Sequence, residues 1–409
     1  MSAVAGPSFE TANLRLGPAR TFLATRAARA LADGLVAATF ATLVHSRGFD
    51  DRTLGWLVTA TLLGSAAMLL AVTRRPDILT PRRVLLLSSI LMVATGLAFS
   101  STGLLLVLVP IAIIGPLNPT GGDVSAFLPA EQALIADLTS DADRSKVFAR
   151  YSLAGFAGAA AGSLLAGPVA AIGTSLGFTS TKGTAFAPVL YAAVGIAVSI
   201  AYLRAGRRDR TIAAGPPSRL VDSRKRVHEL AAVFALDSAG GGFVGTALIA
   251  AWLSRRFDFA LGQTGLVLAL AALASATSSL LAPRLSRRFG LVETMVFTHA
   301  PANMLCIAAG FAPNAPLAVG LLIARALLSQ LDVPARQTFV MSLVPAAERS
   351  AAAAFTNLPR SLAAASTPPI AGWLLFQSRF GWPLILGGGL KLLYDVLLFV
   401  LFRRHSTKA

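Results

Sequence analysis

The sequence predicts an all-α integral membrane protein in which 12 transmembrane helices form two pseudo-symmetric six-helix bundles. Three observations predict it. Hydrophobic residues make up 55% of the 409-residue chain and charged residues 13%, with a mean hydropathy of +0.68. A soluble domain carries about 25% charge. Apolar runs recur, each long enough to cross a hydrocarbon core of about 30 Å. Finally, the chain lands on itself when shifted by 205 residues. Pro129–Gly167 aligns without a gap on Pro334–Gly372 with 13 identities in 39 pairs, where chance gives roughly three or four.

The runs fall at about 27–46, 53–73, 84–100, 103–138, 149–173, 186–203, 229–253, 261–282, 291–312, 316–343, 351–377 and 383–402. Each is predicted to be helix, since lipid offers no partner for an unpaired backbone amide. The fourth is too long for one straight span, at about 54 Å of ideal helix, and carries Pro110, Pro116, Pro119 and Pro129. Prolines in a helix interior kink or end it, so an interruption is expected at Gly115–Asp123. Run seven has a weak point at Gly240-Gly241-Gly242, and Gly155, Gly158 and Gly162 in run five let another helix approach closely. The polar segment 204–228, with Gly215-Pro216-Pro217, divides an N-terminal bundle (1–203) from a C-terminal one (229–409).

The net charge of +17 is clustered by connection. Arg74, Arg75, Arg82 and Arg83 crowd the second, eight basic residues fall between Arg204 and Arg226, and Arg403, Arg404 and Lys408 close the chain, while the third and ninth connections carry none. Alternation of this kind is the positive-inside pattern. It implies cytoplasmic termini, a lipid bilayer as the partner of the basic loops, and no nucleic-acid role. The start of the chain lacks the layout of a cleaved signal, and the lone cysteine, Cys306, is expected to be a buried thiol. No phosphate-binding Gly-rich loop, His-Glu-x-x-His or Gly-x-Ser-x-Gly motif occurs. A non-enzyme without cofactor is therefore expected, driven by a gradient of protons.

Two repeated six-helix halves, a basic central loop and cytoplasmic termini resemble the major facilitator superfamily, in an uncharacterised bacterial branch. Ala282–Gly290, between runs eight and nine, is similar to that family's basic cytoplasmic loop, with Ser286 where an acid is usual. Gly162 and Gly167-Pro168 resemble the antiporter signature. The resemblance implies a secondary transporter of the bacterial inner membrane, monomeric, with a small-molecule cavity between the halves that opens to each side in turn. Proton-coupled efflux is the expected activity, and proton-coupled or facilitated uptake of an organic anion through Arg325 and Arg336 is the alternative. A non-transporting receptor or scaffold is the reading from another class.

Ionisable groups inside lipid are costly and mark function or pairing. Asp33 and Asp237 occupy equivalent places on runs one and seven and are expected to exchange protons or bind a cationic substrate. Asn118, Thr120 and Asp123 lie in the interrupted stretch, where unwound backbone can bind an ion or solute. Arg325, which cannot discard its proton, is expected to pair with Asp332 on the same helical face, or to meet an anion. Glu131 and Arg336 are equivalent in the repeat but opposite in charge. With Gln132 and Gln337, and with Arg144 and Arg349, they are expected to form a gate reaching across the halves. Asn357 and Arg360 open run eleven. Lys391 and Asp395 read as an i,i+4 pair, and His299 as packing.

Overall fold

A computed structural model describes residues 19–403 apart from 76, 122–124, 140, 177–182, 206–222 and 346–347. Among the described residues there are seventeen α-helices and no strand. The first half holds α1 (Ala19–Ser46), α2 (Asp51–Arg74), α3 (Pro81–Ser101), α4 (Leu105–Ile114), α5 (Phe127–Leu138), α6 (Asp141–Leu164), α7 (Ala166–Ser175) and α8 (Phe186–Arg204). The second holds α9 (Arg224–Phe243), α10 (Thr246–Phe257), α11 (Leu261–Phe289), α12 (Leu291–Phe311), α13 (Ala315–Leu328), α14 (Val333–Ser342), α15 (Arg349–Ser366), α16 (Pro368–Gln377) and α17 (Trp382–Phe402). Eight stretches are long and apolar enough to span a membrane, α13 and α14 counting together as one. The bent pairs α6–α7 (43°) and α9–α10 (40°) bring the number to 10. The fourth and eleventh expected runs are the broken pairs α4–α5 and α15–α16.

The ends of these helices are written in the sequence. Asp50 accepts a hydrogen bond from the Thr53 amide at the start of α2, Thr80 from Arg83 ahead of α3 and Asn314 from Leu317 ahead of α13, each occupying a first-turn donor that would otherwise be unpaired. Pro81 and Pro316 sit in first turns, where their missing N–H costs nothing. The glycine stripe of run five does what small residues do in lipid. A Cβ on Gly158 or Gly162 would overlap the carbonyls of Ala27 and Leu31, so α6 lies directly on α1.

Two expectations need correction. Gly240–Gly242 does not break run seven. α9 continues through it, because Gly240 and Gly242 pack against α17 and α15, and the bend comes at Val244–Gly245. The basic segment Ala282–Gly290 is not a loop either: α11 runs to Phe289, and Gly290 alone, at φ +95°, turns the chain into α12.

The halves join at one end. A shared apolar core there includes Val36, Phe40 and Leu57 from the first half and Leu248, Trp252 and Leu375 from the second. Gly55 lies against Pro368, Gly372 against Asp51 and Gly265 against Ser163, each too close for a side chain. At the opposite end each half has its own core. One includes Ala19, Phe22 and Tyr202 and the other Val227, Leu230 and Phe402. The halves are thus closed on each other away from Ala19 and Phe402, and no core cluster joins them near those residues among the described residues.

Candidate functional site

Each half surrounds a charged centre. In the first, Glu131 on α5 is 0% exposed. Its carboxylate accepts hydrogen bonds from Arg29 and Tyr151, from the Thr25 hydroxyl (2.8 Å) and from the Tyr202 hydroxyl (2.5 Å). The donors come from α1, α6 and α8, and the Arg29 guanidinium lies 4.1 Å from the centre of the Phe127 ring. A buried carboxylate demands this many donors because it has left water.

The second centre is built around Asp237 on α9, 4% exposed. Lys391 Nζ of α17 lies 2.6 Å from Oδ1, Arg336 Nη1 of α14 3.0 Å from Oδ2, and His299 Nε2 of α12 3.6 Å from Oδ1. His299 also meets Asp395 through Nδ1 at 2.8 Å, while Asn303 donates to Asp395 at 2.9 Å. Asp332 stands 3.7 Å from Arg336. Three acids, the bases Lys391 and Arg336 and a histidine therefore form one chain of contacts. An imidazole with a carboxylate at each ring nitrogen is placed to carry a proton between them.

These contacts revise several expectations. Glu131 and Arg336 do occupy equivalent places, but each is neutralised inside its own half, so they are not partners across a gate. Packing explains it: a buried charge takes the nearest counter-charge, and α5 and α14 point theirs inward. Asp332 meets Arg336 instead of Arg325, whose Nε has no hydrogen-bond partner among the described residues. Lys391 and Asp395 turn to different helices and do not pair. His299 is part of the network. Gln132 and Gln337 are exposed. Arg144 donates to the Ala136 carbonyl, at the end of α5 (3.3 Å). Asp33 is half-buried on α1, within electrostatic reach of Arg29 and Tyr191. Asp123 and the Arg349 side chain lie outside the described residues.

The interrupted stretch between α4 and α5 does free backbone carbonyls, but the other half takes them. Thr246 donates to the Thr120 carbonyl through its amide (3.1 Å) and hydroxyl (2.9 Å), and the Ala247 amide donates to that of Pro119 (2.9 Å). Asn118 accepts from the Thr120 hydroxyl (2.8 Å). At the closed end, Asp51 accepts from Arg255 of α10, and His45 lies 2.8 Å away. This is the charged contact across the halves that the sequence reading missed. The signal was present in the repeated polar sequences Ser46–Asp50, which Asp51 follows, and Ser254–Asp258, which contains Arg255.

Several solved structures share this architecture. A bacterial homolog of the human lysosomal transporter Spinster, in an inward-facing, occupied conformation, superposes with a TM-score of 0.70 at 15% identity, over 97% of this chain and 98% of that one. The nucleoside transporter NupG gives 0.72 at 12% identity over 95% and 99%. The human organic anion transporter MFSD10 gives 0.65 at 17% over 94% and 99%. In sequence, the chain is 22% identical over 415 residues, 93% of each chain, to the uncharacterized membrane protein YJR124C of Saccharomyces cerevisiae. Residues 22–229 and 230–409 both match the profile of the Major Facilitator Superfamily. A broken-helix duplicated bundle with a charged centre in each half, matched over nearly its whole length, is a multi-pass membrane transporter, and the chain belongs to the Major Facilitator Superfamily.

Proposed function

We propose that this transporter is a proton-coupled carrier of a small organic solute, that it works by alternating access, and that Asp237 is where the proton is exchanged. The observation that carries the proposal is the sharing of one buried carboxylate among Lys391, Arg336 and His299, from three different helices. A proton on Asp237 removes the charge that holds all three. α12, α14 and α17 are then released from α9 together, which turns protonation into movement of helices. His299 and Asp395 supply the route by which the proton leaves. The closed end joined by Asp51 and Arg255 and the separate cores at the other end support a carrier open toward the side of its termini, and the clustered basic connections support the cytoplasm as that side. Export is the direction we assign, from Gly167-Pro168 just after the α6–α7 bend.

The test is transport by the full-length protein in liposomes under an imposed pH gradient, screened with a mixed metabolite and drug library. Asp237→Asn is expected to abolish gradient-driven accumulation while solute exchange without a gradient persists. Unchanged pH dependence in Asp237→Asn would defeat the proposal.

A further inference from the structure

α15 is exposed on two opposite faces, and the faces differ in chemistry. Phe355, Leu358 and Leu362 are exposed on one. At 100° per residue, Asn357, Arg360 and Ser361 fall on the other, and Asn357 there is exposed while Arg360 and Ser361 are half-buried. The helix packs on α9 and, from the other half, on α2, where Thr59 donates to the Ala365 carbonyl at 2.7 Å. Lipid explains the apolar face. It does not explain the polar one, which needs water or a polar ligand in the space that α9 and α2 flank.

Arg360 stands out on that face. It lies near the middle of the α15–α16 pair, level with Ser238 of α9, to whose hydroxyl its Nε donates at 3.2 Å. A long 3.4 Å contact joins its Nη1 to Asn357 Oδ1. No carboxylate stands within ion-pairing distance of it among the described residues, because Asp237 and Asp332 are taken by Arg336 and Lys391. Its guanidinium and that of Arg336 share the Phe234 ring, at 5.8 and 5.9 Å from the ring centre. Two guanidiniums so placed, with only one matched by a carboxylate, leave a planar fork of donors for which the protein supplies no anion.

We propose that Arg360, with Asn357 and Ser238 beside it, binds the anionic group of the transported solute, a carboxylate, phosphate or sulfonate. This inference rests on the carrier function proposed above and names its substrate class. It also moves the anion site expected at Arg325 and Arg336 to a residue one helix away.

The test needs neither turnover nor a known substrate. Cys306 is the single, buried cysteine, so Cys306→Ala gives a background for reporter thiols. Asn357→Cys, and Ser361→Cys as a second reporter on the same face, are placed in the full-length protein in phosphatidylcholine nanodiscs. They are treated with an anionic (sulfonatoethyl) or cationic (trimethylammonioethyl) methanethiosulfonate, each rate normalised to a free thiol. The anionic reagent is expected to be favoured about tenfold or more. Arg360→Gln is expected to erase the preference and Arg360→Lys to keep most of it, while Leu358→Cys on the apolar face stays unmodified. Soluble toluenesulfonate or phenyl phosphate is expected to protect the reporters only when residue 360 is cationic. Equal normalised rates, or unreactive thiols at both 357 and 361, would overturn the proposal. Protection by phosphatidylglycerol but by neither soluble anion would assign the site to a lipid headgroup and overturn it equally. A protein that passes this test and shows no pH-gradient coupling keeps its anion site and loses the proton mechanism, so the two failures are distinct.

Discussion

The two charged centres sit at matching places in a duplicated scaffold and are built on opposite plans. In the first half the acid comes from α5 and the base from α1. In the second the base comes from α14 and the acid from α9. Glu131 is surrounded by one guanidinium and three hydroxyls, all aimed at it. Asp237 shares its partners with Asp332 and Asp395 in a network that has several ways to pair. The contrast teaches that duplication preserves the place for a charge but not its sign or its freedom. A carboxylate with one cation is a fastening. A carboxylate among several cations and acids can change partners, as the proton exchange proposed at Asp237 requires.

Three measurements break or sharpen that contrast. The largest effect is expected from Glu131→Ala, which leaves Arg29 buried without its counter-charge and costs about 3–5 kcal/mol, read as loss of folded protein or a lowered melting temperature in detergent. Asp237→Asn, by contrast, leaves Arg336 beside Asp332 and is expected to lower the melting temperature less. Equal losses in the two variants would erase the distinction between fastening and network. Next comes Tyr202→Phe, which removes one hydrogen bond to a buried carboxylate and is expected to cost about 1.5–3 kcal/mol, with the pH dependence of transport unmoved. A shifted pH profile in that variant would show the first centre to be a working part as well. The smallest effect is expected from Asp51→Asn. The Asp51 side chain is 1% exposed, but Arg255 is 33% exposed and keeps its own access to water, so the substitution strands no buried cation and removes roughly one hydrogen bond, about 1 kcal/mol. Its melting temperature should barely change, while a reporter cysteine at the closed end, in the Cys306→Ala background, should label faster as the halves part more often.

Much of the fold was legible because its signals are local or periodic. Apolar runs marked the spans, prolines marked the break between α4 and α5, and the 205-residue offset paired Glu131 with Arg336. The choice of charge partners was not legible. Lys391 and Asp395 lie one turn apart on α17 and look like a pair in sequence, yet α17 packs between α9 and α12, and each of those helices offers a closer partner. Arg325 and Asp332 fail to pair for a related reason: the chain leaves the helix at Ser329–Asp332, so the face that a straight helix would share is lost. Asp51 escaped notice because it sits at a helix start, where an acid looks like ordinary end chemistry, and its partner lies 204 residues away.

The bonds from Thr246 and Ala247 to the carbonyls of Thr120 and Pro119 run from main chain to main chain. Exchanging side chains removes the bond from the Thr246 hydroxyl but leaves amide donors and carbonyl acceptors where they are, so a mutational scan by alanine or cysteine registers only part of this seam. Proline at 247 is the exception, since it deletes the amide while still fitting the first turn of α10. A seam of this kind lets the cavity walls diverge in sequence while the two bundles stay stitched in the same register.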